Sequence, residues 1–243
     1  MNRLCVENLR AGYGAVTVLR GVDLEVREGE LVALLGMNGN GKSTLLNAIC
    51  GFVRPTGGSI VLEWGGTSID LTRKAPHEIA NLGVACVPEG RRFAPNLTVE
   101  ENLILASSAK RAKGEGKRNL EFCYDTFPIL LERRKQLSST LSGGQQQMLA
   151  IGRALMTSPQ IMIVDEPSVG LAPIMVEQVI ATIRKLQQST RLTILMAEQS
   201  FFQAIEVASR AYVLSHGAII RTFDQQLDPA GAEEIRHAMM GAG

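Results

Sequence analysis

Leu31-Val32-Ala33-Leu34-Leu35-Gly36-Met37-Asn38-Gly39-Asn40-Gly41-Lys42-Ser43-Thr44 is the stretch that decides the fold of this chain. Five apolar residues in a row suit a strand buried on both faces of a parallel sheet. The residues that follow fit GxxxxGK[ST], and a helical pattern runs on through Lys42–Cys50. Strand, glycine-rich turn and helix in that order are the context in which this motif cradles phosphates. Glycines let backbone N–H groups close around an anion, and the helix N-terminus adds a favourable dipole. The candidate nucleotide-binding residues here are therefore Gly36, Asn38, Gly39, Gly41, Lys42, Ser43 and Thr44. Lys42 is placed to reach the β- and γ-phosphates, and the Ser43 hydroxyl to ligate Mg²⁺. The overlapping glycines also suggest a dinucleotide fingerprint, but Lys-Ser at the helix start favours a nucleoside triphosphate.

Outward from this stretch, further apolar runs lie at Val84–Val87, Ile161–Val164, Leu192–Met196 and Ala211–Leu214. Helical patterns at Val176–Leu186 and Ser200–Ala208 separate several of them, which implies βαβ units and a mostly parallel sheet. Before the motif, Leu4–Leu9 and Val22–Val26 alternate with period two, as half-buried antiparallel strands do. From about Thr98 to Met156 helical periodicity dominates, and this stretch reads as a helical insertion. Its basic run from Lys110 to Arg118 is expected to be a solvated helix face and a mobile loop. A short helix is expected after Phe223.

The composition narrows the function classes. The chain has 243 residues, 25 Lys plus Arg against 24 Asp plus Glu, and a net charge of +1. Such balance does not suit a protein built to coat nucleic acid or an anionic membrane. No apolar run approaches the roughly 20 residues needed to cross a bilayer, and Met1–Arg10 lacks the apolar stretch of a signal peptide. Cys5, Cys50, Cys86 and Cys123 contain no CxxC pair and are expected to be buried small hydrophobes in a reducing cytosol. A membrane then enters only through a partner.

Two further motifs carry chemistry. Ile161-Met162-Ile163-Val164-Asp165-Glu166 is an apolar strand ending in two acids. Asp165 is positioned as a Mg²⁺ ligand, and Glu166 as a general base for an attacking water. Leu141-Ser142-Gly143-Gly144-Gln145 opens a helix running through Met148, Ile151 and Leu155, so it too presents N–H groups to an anion. In this order with the phosphate loop and Asp165-Glu166, it resembles the signature sequence of ATP-binding cassette (ABC) ATPases. A P-loop GTPase or kinase would leave this motif unexplained, and no NKxD guanine-reading motif is present.

That resemblance covers roughly residues 3–222 and implies an α/β fold. It comprises a P-loop NTPase (RecA-like) core with a mostly parallel sheet, an N-terminal antiparallel β subdomain and a helical insertion subdomain. The chain is expected to form one ABC ATPase domain, with 1–97 and 157–243 as core and 98–156 as the helical subdomain. The resemblance makes Tyr13 the residue that stacks on adenine and Glu89 part of the Q-loop, Val87-Pro88-Glu89-Gly90-Arg91-Arg92. Ser168-Val169-Gly170-Leu171-Ala172 corresponds to the D-loop, and Ala197-Glu198-Gln199-Ser200 to the switch segment. The implied catalytic residues are Glu166, Lys42, Gln199 and Glu89, and the implied Mg²⁺ ligands Ser43, Asp165 and Glu89. Ser142, Gly144 and Gln145 would face ATP bound to an opposite chain. Three positions depart from the family pattern. Glu89 replaces a glutamine, Ala172 an aspartate, and Gln199 a histidine that can titrate.

VPEGRR, LTVEENL, LSGGQQQMLAIGRALM, DEPSVGLAP and AEQS together resemble the LivF-like ATPases of branched-chain amino acid importers, with urea and amide importers close behind. The implied partners are two permease subunits, a second ATPase that is related rather than identical, and indirectly a substrate-binding protein outside the membrane. Nucleic acid is not among the implied partners. The implied place is the cytoplasmic face of the membrane, and the Q-loop with nearby Phe93, Pro95 and Leu97 is expected to contact a permease's cytoplasmic helix. A soluble ABC ATPase of DNA repair or translation, and a catalytically silent regulatory subunit, are the competing readings. Long coiled insertions or paired cassettes, typical of the first, are absent here, and the second sits poorly with intact Lys42, Asp165 and Glu166.

Overall fold

The computed structural model describes residues 2–90 and 92–224. The strand predicted at Leu31–Leu35 is β3, and all five of its residues are buried. Leu31, Ala33 and Leu35 point into one hydrophobic core while Val32 and Leu34 point into another. That division explains why the run has no polar residue: each face of the sheet carries its own core.

Two strands precede it, β1 (Arg3–Tyr13) and β2 (Val16–Arg27), which form an antiparallel hairpin. Val22, Leu24 and Val26 share its buried face, as their alternation predicts. The hairpin joins β4 (Gly57–Trp64) and β5 (Thr67–Asp70) in an antiparallel sheet of order β2-β1-β4-β5. Sequence reading did not anticipate β4 or β5. Ile60 and Leu62 alternate into the core, but glycines before them and Trp64 after them blur the pattern.

The second sheet adds β6 (Val84–Val87), β7 (Ile161–Asp165), β8 (Thr193–Glu198), β9 (Arg210–Ser215) and β10 (Ala218–Asp224). Its order is β10-β9-β3-β8-β7-β6, with β10 antiparallel and the remaining pairings parallel. The expected helices appear as α1 (Lys42–Ile49), α7 (Pro173–Thr190) and a shorter α8 (Phe201–Ile205), together with an unanticipated α2 (Pro76–Asn81). The short helix expected after Phe223 lies outside the described residues.

Residues 98–156 carry α3 (Val99–Ala106), α4 (Gly116–Thr126), α5 (Pro128–Glu132) and α6 (Gly143–Leu155). Gly152 lets α4 and α6 approach, since a Cβ there would lie 2.8 Å from the Cys123 sulfur. Buried Asn102 on α3 donates to the carbonyls of Ala94, Leu97 and Thr98 and accepts from the Ala94 N–H. One side chain thus satisfies the backbone of the segment leading into the helices. The basic run is not wholly solvated. Lys117 is exposed, but the Arg111 Nε donates to the Ser158 carbonyl at 2.7 Å. No described helix is long and apolar enough to cross a membrane.

Candidate active site at the strand ends

The chain leaves β3 at Gly36 and enters α1 at Lys42 through a loop whose shape glycine alone accepts readily. Gly41, the N-cap of α1, has φ +101°, and a Cβ on Gly36 would lie 2.5 Å from the Leu214 carbonyl oxygen. Asn40 braces the loop on the β9–β10 turn, accepting from the His216 N–H at 3.2 Å through its side chain and from the Gly217 N–H through its carbonyl. The first N–H groups of α1 have no partner within the helix and are held at a braced loop.

Lys42 is only 4% exposed. Its Nζ donates to the Gly36 carbonyl at 2.6 Å and the Met37 carbonyl at 3.3 Å, and pairs with Glu166 Oε1 at 2.9 Å. Glu166 is 8% exposed. The Lys42–Glu166 pair was not legible in the sequence, since the residues come from different βα units. A phosphate oxygen entering the loop would compete with Glu166 for this ammonium.

Asp165 ends β7 beside α1, where the Ser43 hydroxyl donates to its Oδ1 at 3.2 Å. Burial pushes the Asp165 carboxyl up to about 6, against the Ser43 hydrogen bond and with help from the charges of Glu166 and Glu89. A hydroxyl and a carboxylate in contact are the hard oxygen donors that Mg²⁺ prefers, and a buried carboxylate beside the acids Glu166 and Glu89 gains from a cation. These residues fit the metal.

Glu166 adopts φ +44°, a left-handed conformation that costs a non-glycine residue about 1 kcal/mol or more. Its N–H is held by the Ala197 carbonyl at 3.0 Å. Two residues on, Ser168 donates to the Glu198 carboxylate from its N–H at 3.2 Å and its hydroxyl at 2.8 Å. Gln199 follows Glu198, exposed at the end of β8. The sequence reading took Gln199 from this segment and missed Glu198, although an acid closing an apolar strand repeats the pattern of Asp165.

A groove of about 750 Å³ opens beside Ser43 and Asp165, with Tyr13 and Glu89 also on its wall. Tyr13, at the end of β1, is 54% exposed, as a stacking platform must be. The groove continues past Phe52, Pro76 and Ile79 to Arg153 on α6. Phe93 is packed against the core instead of lining it. Cys50 and Cys86 both lie in the groove wall, and the neighbouring Cys86 thiol together with burial raises the Cys50 thiol. The four cysteines are free, and Cys50 and Cys123 are buried as expected, whereas Cys5 and Cys86 are only partly so.

Ser142 is the N-cap of α6, with a reciprocal capping box. The Gln145 N–H donates to Ser142 Oγ at 3.4 Å, and the Ser142 N–H to Gln145 Oε1 at 3.0 Å. Gly144 is buried against the Met175 side chain. Among the described residues no hydrogen bond or ion pair joins this turn to Lys42, Ser43, Asp165 or Glu166. The starts of α1 and α6 are therefore two separate turns with no bond between them among the described residues. Ser142→Ala should lower stability by about 1 kcal/mol, the usual cost of losing such a cap. Thermal unfolding measures it, and an unchanged midpoint would show that the cap contributes nothing. Ala172, where the family has aspartate, leaves α7 without a side-chain cap, and Pro173 at its first turn partly compensates.

The ABC transporter family model matches residues 19–169. The chain is 42% identical over 217 residues to the high-affinity branched-chain amino acid transport ATP-binding protein BraG of Pseudomonas aeruginosa, covering 89% of this chain and 91% of that protein. It is 37% identical to a protein of Archaeoglobus fulgidus named Probable branched-chain amino acid transport ATP-binding protein LivF, with 87% of each chain covered. Among solved structures it is similar to the dimeric post-hydrolysis state of an ATP-binding cassette bound to ADP and Pi. That likeness has a TM-score of 0.78 at 25% identity and covers 93% of this chain and 99% of that one.

Proposed function

Because the chain belongs to the ATP-hydrolysing subunits of ABC transporters, we propose that it energises an importer of branched-chain amino acids through the residues gathered at the ends of β3, β7 and β8. The observation that carries the reading is the meeting of Lys42 with Glu166 and of Ser43 with Asp165 at one mouth of the sheet. The substrate class rests on the likeness to BraG and the LivF-named protein. A urea or amide importer is the alternative.

Phosphoryl transfer leaves the protein chiefly positioning and charge stabilisation to perform. The loop 36–44 holds the phosphates, Lys42 moves from Glu166 to the β/γ-phosphate oxygens, and Tyr13 stacks on the base. Ser43 and Asp165, with Glu89 at the groove, would hold Mg²⁺, which when bound neutralises charge developing on the phosphates. Glu166, released from Lys42, accepts the proton of the attacking water, and Gln199 donates a hydrogen bond to the γ-phosphate. Ser142, Gly144 and Gln145 act on nucleotide held by a second cassette, a reading supported by their separation from Lys42 within one chain. The second cassette is a related chain and the assembly contains two permease subunits, with a substrate-binding protein engaged indirectly. The chain sits at the cytoplasmic face of the membrane, held there by the permeases.

The groove past Phe52 and Ile79 is the surface for a permease helix. Phe52, at 61% exposed, is its most available apolar side chain. The Q-loop residues Pro88, Glu89 and Arg92 line the same groove, so the expected contact with the Q-loop extends to Phe52, while Phe93 packs against the core. Phe52→Ser should reduce permease co-purification and transport several-fold while leaving soluble ATP binding intact. Phe93→Ser should instead lower thermal stability. Transport retained in Phe52→Ser would move the contact elsewhere. The whole reading is tested by solubilising native membranes gently and identifying what co-purifies with the tagged chain. Two membrane subunits with a second cassette are expected, and the accompanying binding protein is then screened against leucine, isoleucine, valine, urea and amides. Recovery with ribosomal or DNA-repair proteins alone would overturn the transport reading.

A further inference from the structure

Glu198 closes β8 with none of its surface exposed, and the mechanism above gives it no chemical step. Its carboxylate takes two donors, the Ser168 N–H at 3.2 Å and the Ser168 hydroxyl at 2.8 Å. Both donors come from one loop, and Glu198 itself ends the strand that leads into another. Ser168 lies in the turn that leaves Glu166, and Gln199 begins the segment after β8. One residue before Glu198, the Ala197 carbonyl accepts from the Glu166 N–H at 3.0 Å. The 197–198 run therefore grips the 166–168 run at both ends.

Glu166 needs that grip. A non-glycine residue at φ +44° persists only where its surroundings over-determine it. The turn beyond is tied back on itself, with the Val169 N–H donating to the Glu166 carbonyl at 3.3 Å and the Leu171 N–H to the Ser168 carbonyl at 3.2 Å. Displacement of Ser168 would move Glu166 and the 168–172 turn together. Burial raises the Glu198 carboxyl above its ordinary range, and its two hydrogen bonds from Ser168 are what compensate the buried oxygens.

We propose that Glu198 is a positioning residue that, through Ser168, holds Glu166 in its left-handed conformation and links the Gln199 segment to the 168–172 turn. The proposal rests on the general-base reading of Glu166. Glu198→Ala is expected to lower kcat roughly tenfold to a hundredfold, the scale of misplacing a reacting group by about an ångström. The affinity for a fluorescent ATP analogue should stay within about twofold, because every phosphate-binding residue remains. Amide hydrogen exchange at 168–172 in nucleotide-free protein should rise. Glu198→Gln should restore both readouts. Its amide oxygen accepts from the Ser168 N–H while its NH₂ donates to the Ser168 hydroxyl, so the link survives without the charge.

A Glu198→Ala protein with native kcat and native exchange overturns the proposal. So does a Glu198→Gln protein as impaired as the alanine variant, which would make charge, not geometry, the cause. Should Glu198→Ala fail to fold, Ser168→Ala against Ser168→Thr poses the same question, with loss expected in the first and retention in the second. Native turnover in Glu166→Gln would remove the general-base reading alone, and the exchange experiment would still judge the link.

Discussion

Glu166→Gln should bind ATP about as well as the native chain and lose two to four orders of magnitude in kcat, the range a positioned general base contributes. The amide keeps the shape of the side chain but cannot take a proton from water. Binding is spared for a reason visible in the structure. Glu166 holds Lys42 at 2.9 Å in a nearly water-free site, so removing its charge frees the ammonium for phosphate. With nucleotide bound and not consumed, the closed pair of cassettes should accumulate. Phosphate release and size-exclusion chromatography with ATP measure the two effects. Normal steady-state hydrolysis would sink the general-base role.

Lys42→Ala should act through binding, and through stability as well. A charge-assisted hydrogen bond to phosphate contributes about 1.5–3 kcal/mol, so ATP affinity should fall roughly tenfold to a hundredfold. The same change leaves Glu166 buried without its partner, which costs on the order of 3–5 kcal/mol in fully buried pairs. Thermal unfolding without nucleotide should therefore fall markedly. The double variant Lys42→Ala/Glu166→Gln separates the causes: it should regain much of the stability and none of the affinity. Calorimetric titration with ATP and thermal scans of the three proteins provide the check. Additive losses of stability would show that the pair is not coupled.

Much of this architecture was legible before any coordinate. Leu31–Leu35 and Ile161–Asp165 are strands because both sheet faces are covered, which leaves no position for a polar residue until the acids at the strand end. The turn at Gly41 and the cap at Ser142 are likewise local chemistry, a positive φ and a hydroxyl at a helix start. β4 and β5 escaped, although β1 and β2 of the same sheet were read, because β4 opens on two glycines and β5 has Ile69 as its one apolar residue.

What the sequence by itself determined is the set of short-range parts: a phosphate loop, an acid-tipped strand, a capped signature helix, and the family that unites them. Their residues are contiguous, and their backbone chemistry acts within a few positions. The tertiary structure alone decided that Lys42 rests on Glu166, that Ser168 hangs from Glu198, that Cys50 neighbours Cys86, and that Phe52 faces the groove while Phe93 packs inward. Each of those contacts joins separate βα units or opposite walls of a groove. Only the parallel order of β3, β8 and β7 brings their ends to one place, and strand order depends on how whole faces pack, which no single stretch of sequence encodes.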